Sequence, residues 1–292
     1  MSAKRRTAAA CLVTAAAALG RVPLPAAWAA PPPSPPTVEV TGATRIEYED
    51  ASQQWTFRGA PVVVYRGTTR IEAPVILYTE PTREVTLPDG GLVATPTLEV
   101  RADRIATNLA SRHLTAEGHV AGRFTDENGS PPAPAASRDW GTFAADRAEL
   151  DDSAAHKEIV ATGQVVVVRG DRRLSGDRIV YNHVTRQGTI EGHADMAQGA
   201  DRLRAAYVFA DLGRGTAEAN GDVVLDHGDV HGSADFATYS EPEHRALLSG
   251  HVKLLQGSDT LTADLVTVLL VGETVIAEGG VEVTSYPAGG SP

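Results

Sequence analysis

The sequence predicts an all-β fold of about sixteen consecutive antiparallel strands, built from a 29-residue repeat of two strands. Three observations carry this expectation. Glycines recur at a fixed interval, apolar residues keep one parity around them, and Gly/Asp turns divide each repeat in two. Gly163, Gly192, Gly221, Gly250 and Gly279 are each 29 residues apart. The frame continues upstream through Gly118, with 16 inserted residues before Gly163, and then through Asp89 and Gly59.

The first strand of each repeat surrounds this anchor. Two residues before it stand Phe57, Leu87, Ala116, Ala161, Ile190, Ala219, Leu248 and Ala277. Val165, Ala194, Val223 and Val252 stand two after it, and Val167, Met196, Leu225 and Leu254 four after it. Apolar residues of one parity mean strands with one buried face. The second strand is marked by Asp177, Asp235 and Asp264, 14 residues past the anchor, with Asp103 and Asp146 matching once insertions are allowed. Ala206 and Ala73 take that place in two repeats. Ile179 and Tyr181, Val208 and Ala210, and Val266 and Val268 follow. Gly170-Asp171, Gly199-Ala200-Asp201, His227-Gly228-Asp229 and Gly257-Ser258-Asp259 join the two strands as tight turns. Connections this short require antiparallel neighbours. Half-repeats at 43–50 and 274–285 bracket the run. A sheet this long, apolar on one side, must curl over on itself to stay soluble.

Outside the repeat, residues 1–29 read as a signal peptide. Lys4, Arg5 and Arg6 precede an apolar stretch at 7–20, and Ala27 and Ala29 are the small residues of a cleavage site after Ala29. Residues 30–37 form a Pro-rich linker, 38–285 the repeat domain, 126–139 a disordered Pro/Ala/Ser-rich insertion and 286–292 a flexible tail. Cys11 is the only cysteine and leaves with the signal, which excludes disulfides, cysteine metal sites and thiol catalysis from the mature chain. Removing residues 1–29 takes away four positive charges and no acid. The net charge therefore goes from −11 to −15, with 22 basic against 37 acidic residues. That balance argues against nucleic acid as a partner.

Few residues invite a chemical role. His119, His193 and His251 share the place after the anchor, but Gln164 and Asp222 interrupt them, and they read as exposed polar residues rather than metal ligands. The Asp series reads as a structural turn or bulge, because catalysis needs unlike groups converging on one point. No cofactor and no enzymatic activity are expected.

The stretch 161–182, with "LSGDRIVY" (174–181) and "LTADLVTV" (261–268), resembles the repeat of the organic-solvent-tolerance-like (OstA-like) family of periplasmic lipopolysaccharide-transport proteins. The resemblance covers about residues 38–284 and is nearest to the bridge-like members. It implies a half-open β-jellyroll and a periplasmic location. It also implies an apolar groove that carries lipopolysaccharide, or a related acylated lipid, between inner and outer membranes. Candidates for lining that groove are Val165, Val167, Ile179, Tyr181, Met196, Val223, Leu225, Val252, Leu254, Val266 and Val268. Implied partners are inner- and outer-membrane transport proteins with related jellyroll domains, and further copies of the chain joined head to tail through edge strands. The residues alone also admit a structural β-repeat scaffold of the cell envelope without lipid cargo. They admit less readily a β-helix enzyme acting on polysaccharide, whose coils have three strands where these repeats have two.

Overall fold

The computed structural model describes residues 38–124, 141–151, 157–182, 184–269 and 274–285. The expected signal peptide, linker, insertion and tail lie outside them. The described residues contain strands, turns and no helix. They form two compact units. One takes the described residues up to Gly170 with Val180–Val184; the other takes Asp171–Ile179 and those from Thr185 onward.

The N-terminal unit holds β1 (Val38–Glu49), β2 (Gln54–Arg66), β3 (Thr69–Thr79), β4 (Glu84–Leu87), β5 (Gly91–Ala94), β6 (Leu98–Ala102), β7 (Arg104–Asn108), β8 (His113–Phe124), β9 (Gly141–Asp151) and β10 (Glu158–Arg169). Every pairing is antiparallel. β1, β2 and β3 follow one another; β3 then pairs with both β4 and β5, β4 with β7, and β5 with β6. β8 pairs with both β6 and β7, and β9 and β10 complete the ladder. β11 (Arg172–Asn182) is shared between the units. The C-terminal unit runs through β12 (Gln187–Gln198), β13 (Asp201–Asp211), β14 (Thr216–His227), β15 (Val230–Ser240), β16 (Arg245–Gln256) and β17 (Asp259–Leu269). β18 (Thr274–Glu278) and β19 (Glu282–Thr284) both pair with β17. β4 with β5, β6 with β7, and β18 with β19 are each one repeat strand cut in two. The 19 described segments thus make sixteen repeat strands, as the sequence predicts.

Each long strand bends at a corner. In β12, Gly192 and His193 both take positive φ (+67° and +51°). The pairing jumps there from Glu191–Tyr207 to Ala194–Ala205, three steps on one strand against two on the other. This is a β-bulge. Alternation on the facing strand slips by one: Leu203 and Ala205 are buried, then Val208 and Ala210. Both arms of the bent strand therefore bury the same side. A run of antiparallel strands bent along a line of corners is consistent with a β-jellyroll. The glycine is required because a Cβ on Gly192 would stand 2.2 Å from an Asp177 carboxylate oxygen.

Two details of the frame differ from expectation. Ala73 is buried, and Pro74, exposed, holds the corner place assigned to it. That repeat spans 30 residues, from Gly59 to Asp89, one more than the regular 29. The leading half-repeat is also a complete bent strand, with Gly42 (φ +73°) at its corner.

Candidate functional site

The buried side of the bent strands forms continuous apolar rows, because in-register pairing puts like positions of each repeat side by side. In the C-terminal unit one row runs Met196, Leu203, Leu225, Gly232, Leu254, Leu261 and Val283, from β12 to β19. A second runs Ile190, Val208, Ala219, Ala237, Leu248, Val266 and Ala277 on the other arm. The first row is built of large side chains except at Gly232, and the second mixes Ile, Val and Leu with Ala. Leu254 lies over Gly232, where an added Cβ would meet its Cδ2 at 3.0 Å.

Of the eleven groove candidates, nine are buried. Val165, Ile179, Tyr181, Met196, Val223, Leu225, Val252, Val266 and Val268 are none more than 7% exposed. Val167 and Leu254 are half-buried. In this state the side chains fill the space between themselves. The rows become accessible at the terminal strands. Val283 is 66% exposed in β19, and Ile46 and Tyr48 are exposed in β1. Beside Tyr48 lies an aromatic group of which the parity count singled out only Phe57. Tyr48 and Trp55 have ring centroids 4.7 Å apart, Phe57 follows at 6.3 Å, and Trp55 Nε1 donates to Glu80 Oε1 at 2.8 Å.

The outer corners carry the polar repeat positions. His119, His193 and His251 turn Nδ1 to Asp103, Asp177 and Asp235 at 2.6, 2.9 and 2.8 Å, with the rings facing solvent. The hydrogen bond to Asp103, and then its charge, lifts the His119 pKa above the usual histidine range; Asp235 does the same for His251. Among the described residues, no group of three or more His, Cys, Asp or Glu is placed to hold a metal ion. A shallow, partly polar depression of ≈ 600 Å³ lies beside Asp89, Gly90, Arg101, Asp103 and His119, and no groove candidate lines it.

Another periodic position escaped the sequence reading. Asn182, Asp211 and Ser240, 29 residues apart, each accept a backbone N–H two or three residues on. They close the turns between repeats. Asp211 is buried, and its pKa is held below the usual carboxylate value, chiefly by the Gln187 side-chain amide. The 29-residue spacing of these small polar residues was the available signal.

Residues 143–271 and 233–285 match the family described as "LptA/(LptD N-terminal domain) LPS transport protein". The chain carries a domain of this OstA-like family. The family is one of transport rather than catalysis. A search of curated proteins finds no match. Among solved structures, the chain is similar to LptH, "the LptA homologous periplasmic component of the conserved lipopolysaccharide transport device from Pseudomonas aeruginosa". Identity is 19%, over 50% of this chain and 95% of that one, with a TM-score of 0.26. So loose a likeness carries no argument, and the architecture of the OstA-like domain rests on its own strand ladder.

Proposed function

We propose that this protein is a periplasmic carrier of lipopolysaccharide, or of a related acylated lipid, between the inner and outer membranes. The observation that carries the reading is the apolar row from Met196 to Val283, which crosses β12–β19 and ends on an exposed valine. Each methylene held out of water is worth about 0.8 kcal/mol, so a twelve-carbon chain is held by on the order of 10 kcal/mol. A lipid with several such chains needs an unbroken apolar path. Repeats of like design supply steps of similar affinity, so passage along them needs no chemistry from this chain. The filled interior means that acyl chains part the packed arms or slip in from the terminal strands. The acidic surface leaves anionic head groups in water, so recognition is by the tails.

The terminal strands β1 and β18–β19 are the places where transport proteins with related jellyroll domains add a strand. The experiment is titration of the purified mature chain with lipid A or a fluorescent fatty acid. Saturable binding that weakens at least about tenfold in Leu225→Glu or Val167→Glu is expected. The filled interior also suits an envelope scaffold without cargo, and that reading prevails if no saturable binding occurs. Mass spectrometry of lipid co-purified with the native protein identifies the cargo.

A further inference from the structure

One interior row of the N-terminal unit is interrupted by a hydroxyl. Cross-strand pairing puts Val85, Thr107, Leu114 and Leu150 side by side on β4, β7, β8 and β9. Val85, Leu114 and Leu150 are buried, so Thr107 points to the same apolar side. Thr107 is 4% exposed, and its Oγ1 has no hydrogen-bond partner among the described residues. A hydroxyl buried in this way is destabilising, because its bonds to water are lost and not replaced.

Packing does not require that hydroxyl. Thr107 stands four residues after Asp103, and Tyr181, Ala210, Tyr239 and Val268 hold the matching place after Asp177, Ala206, Asp235 and Asp264. Val268 is itself buried, and valine has nearly the shape of threonine with a methyl for the hydroxyl. The place along the strand is informative too. Thr107 is next to the end of β7, where Asn108 Oδ1 accepts the backbone N–H groups of Ala110 and Ser111 at 2.9 Å in the turn. The hydroxyl therefore lies near the rim of its arm and away from the corner at Asp103. An acyl chain entering tail first between the arms brings its head-proximal carbons, and not its tail, beside Thr107.

We infer that Thr107 is a specificity-determining residue, whose Oγ1 hydrogen-bonds a hydroxyl carried on an acyl chain within a few carbons of the head group, so that the N-terminal unit favours hydroxylated over plain chains. The inference rests on the lipid-carrier reading above. Threonine Oγ1 both donates and accepts, as an alcohol does, so the two groups satisfy each other. A carboxyl or ester oxygen at the head finds water at the rim. A hydroxyl farther along enters the apolar side and loses its hydration unless a protein group answers it. A purely apolar site thus prefers the plain chain, and a site with a waiting hydroxyl prefers the hydroxylated one.

The test uses the full mature chain loaded with a fluorescent fatty acid. Tetradecanoic acid and 3-hydroxytetradecanoic acid, which share their carboxyl group and chain length, compete for it. The hydroxy acid is expected to compete about tenfold better. Thr107→Val should give the plain acid the advantage, and Thr107→Ser should keep the original order. Thr97→Val removes the other unpartnered buried hydroxyl, in the turn between β5 and β6, and should leave the order unchanged. Equal or better competition by the plain acid in the unmodified chain, or an unchanged order in Thr107→Val, would overturn the inference while the carrier reading stands. If the fluorescent acid itself fails to bind saturably, the carrier reading falls and this inference with it.

Discussion

The ladder β12–β17 and the ladder β3–β8 are built from the same repeat and differ in how they pass their corners. Strands in the first run 11 or 12 residues without interruption. In the second, β4 to β7 are only 4 or 5 residues each. At a regular corner a glycine and its successor take left-handed backbone, one residue bulges out, and pairing resumes at once. Between Leu87 and Gly91 the chain instead passes through Pro88, Asp89 and Gly90, and the facing strand breaks at Asp103. The cost shows in the polar accounting. The buried side-chain atoms without a hydrogen bond among the described residues are Arg70 Nε, Thr97 Oγ1 and Thr107 Oγ1, all within β3–β7 or the turns joining them. A repeat that keeps its corner geometry satisfies its polar groups; one that loses it leaves some stranded.

The largest effect expected is in the regular ladder. Leu248 is fully buried, and Leu248→Ala should lower unfolding free energy by about 2–5 kcal/mol in urea denaturation, since rigid neighbours cannot collapse into the gap. A loss below about 1 kcal/mol would mean that the packed arms are looser than this comparison holds.

Corner and turn glycines come next. Gly192 and Gly199 both have positive φ, but a Cβ at Gly199 meets nothing within 4 Å. Gly199→Ala should cost about 1 kcal/mol from backbone strain alone. Gly192→Ala adds the clash with Asp177 and should cost clearly more; equal costs in thermal unfolding would show that the corner yields.

A gain is expected in the irregular ladder. Thr107→Val removes a buried hydroxyl that has no partner and should stabilise the protein by about 1 kcal/mol. A loss of stability would mean that the hydroxyl has a partner such as bound water.

The smallest effect concerns the corners common to both ladders. His251 in the regular ladder and His119 in the broken one each have a raised pKa, caused first by the hydrogen bond to Asp235 or Asp103. A folded pKa above the unfolded one means that the stabilisation is present below the ordinary histidine pKa. It is lost as pH rises through the raised value. NMR titration should place both midpoints above the ordinary value, and Asp235→Asn should bring His251 back toward it. Titration of only one as stated would make the corners, as well as the strands between them, differ between the ladders.

Much of this was legible beforehand, for a local reason. Parity around Gly163, Gly192, Gly221 and Gly250 announces a half-buried strand, and Gly-Asp pairs announce its turn, because both depend on backbone geometry within a few residues. The misplacement of Ala73, and the corner at Gly42, came from repeats where length varies, since a count along the chain cannot tell an insertion from a shift. All eleven groove candidates fall on the side that the rows line, for the same reason of parity, and nine of them are buried. Whether buried side chains leave room between them is a matter of packing across strands, and parity is silent on that.

By itself the sequence determined an all-β chain of bent, antiparallel, repeated strands with an apolar side and acidic surroundings. Repetition at 29 residues forces like positions into register, so these features follow from spacing and residue type. Only the tertiary structure decided that Asp177 stands behind Gly192, that Leu254 covers Gly232, and that Arg123 meets Glu99 and Arg147 meets Glu117 across neighbouring strands. Those facts depend on which side chains meet across hydrogen-bonded neighbours, and a single bulged residue moves every such meeting by one place.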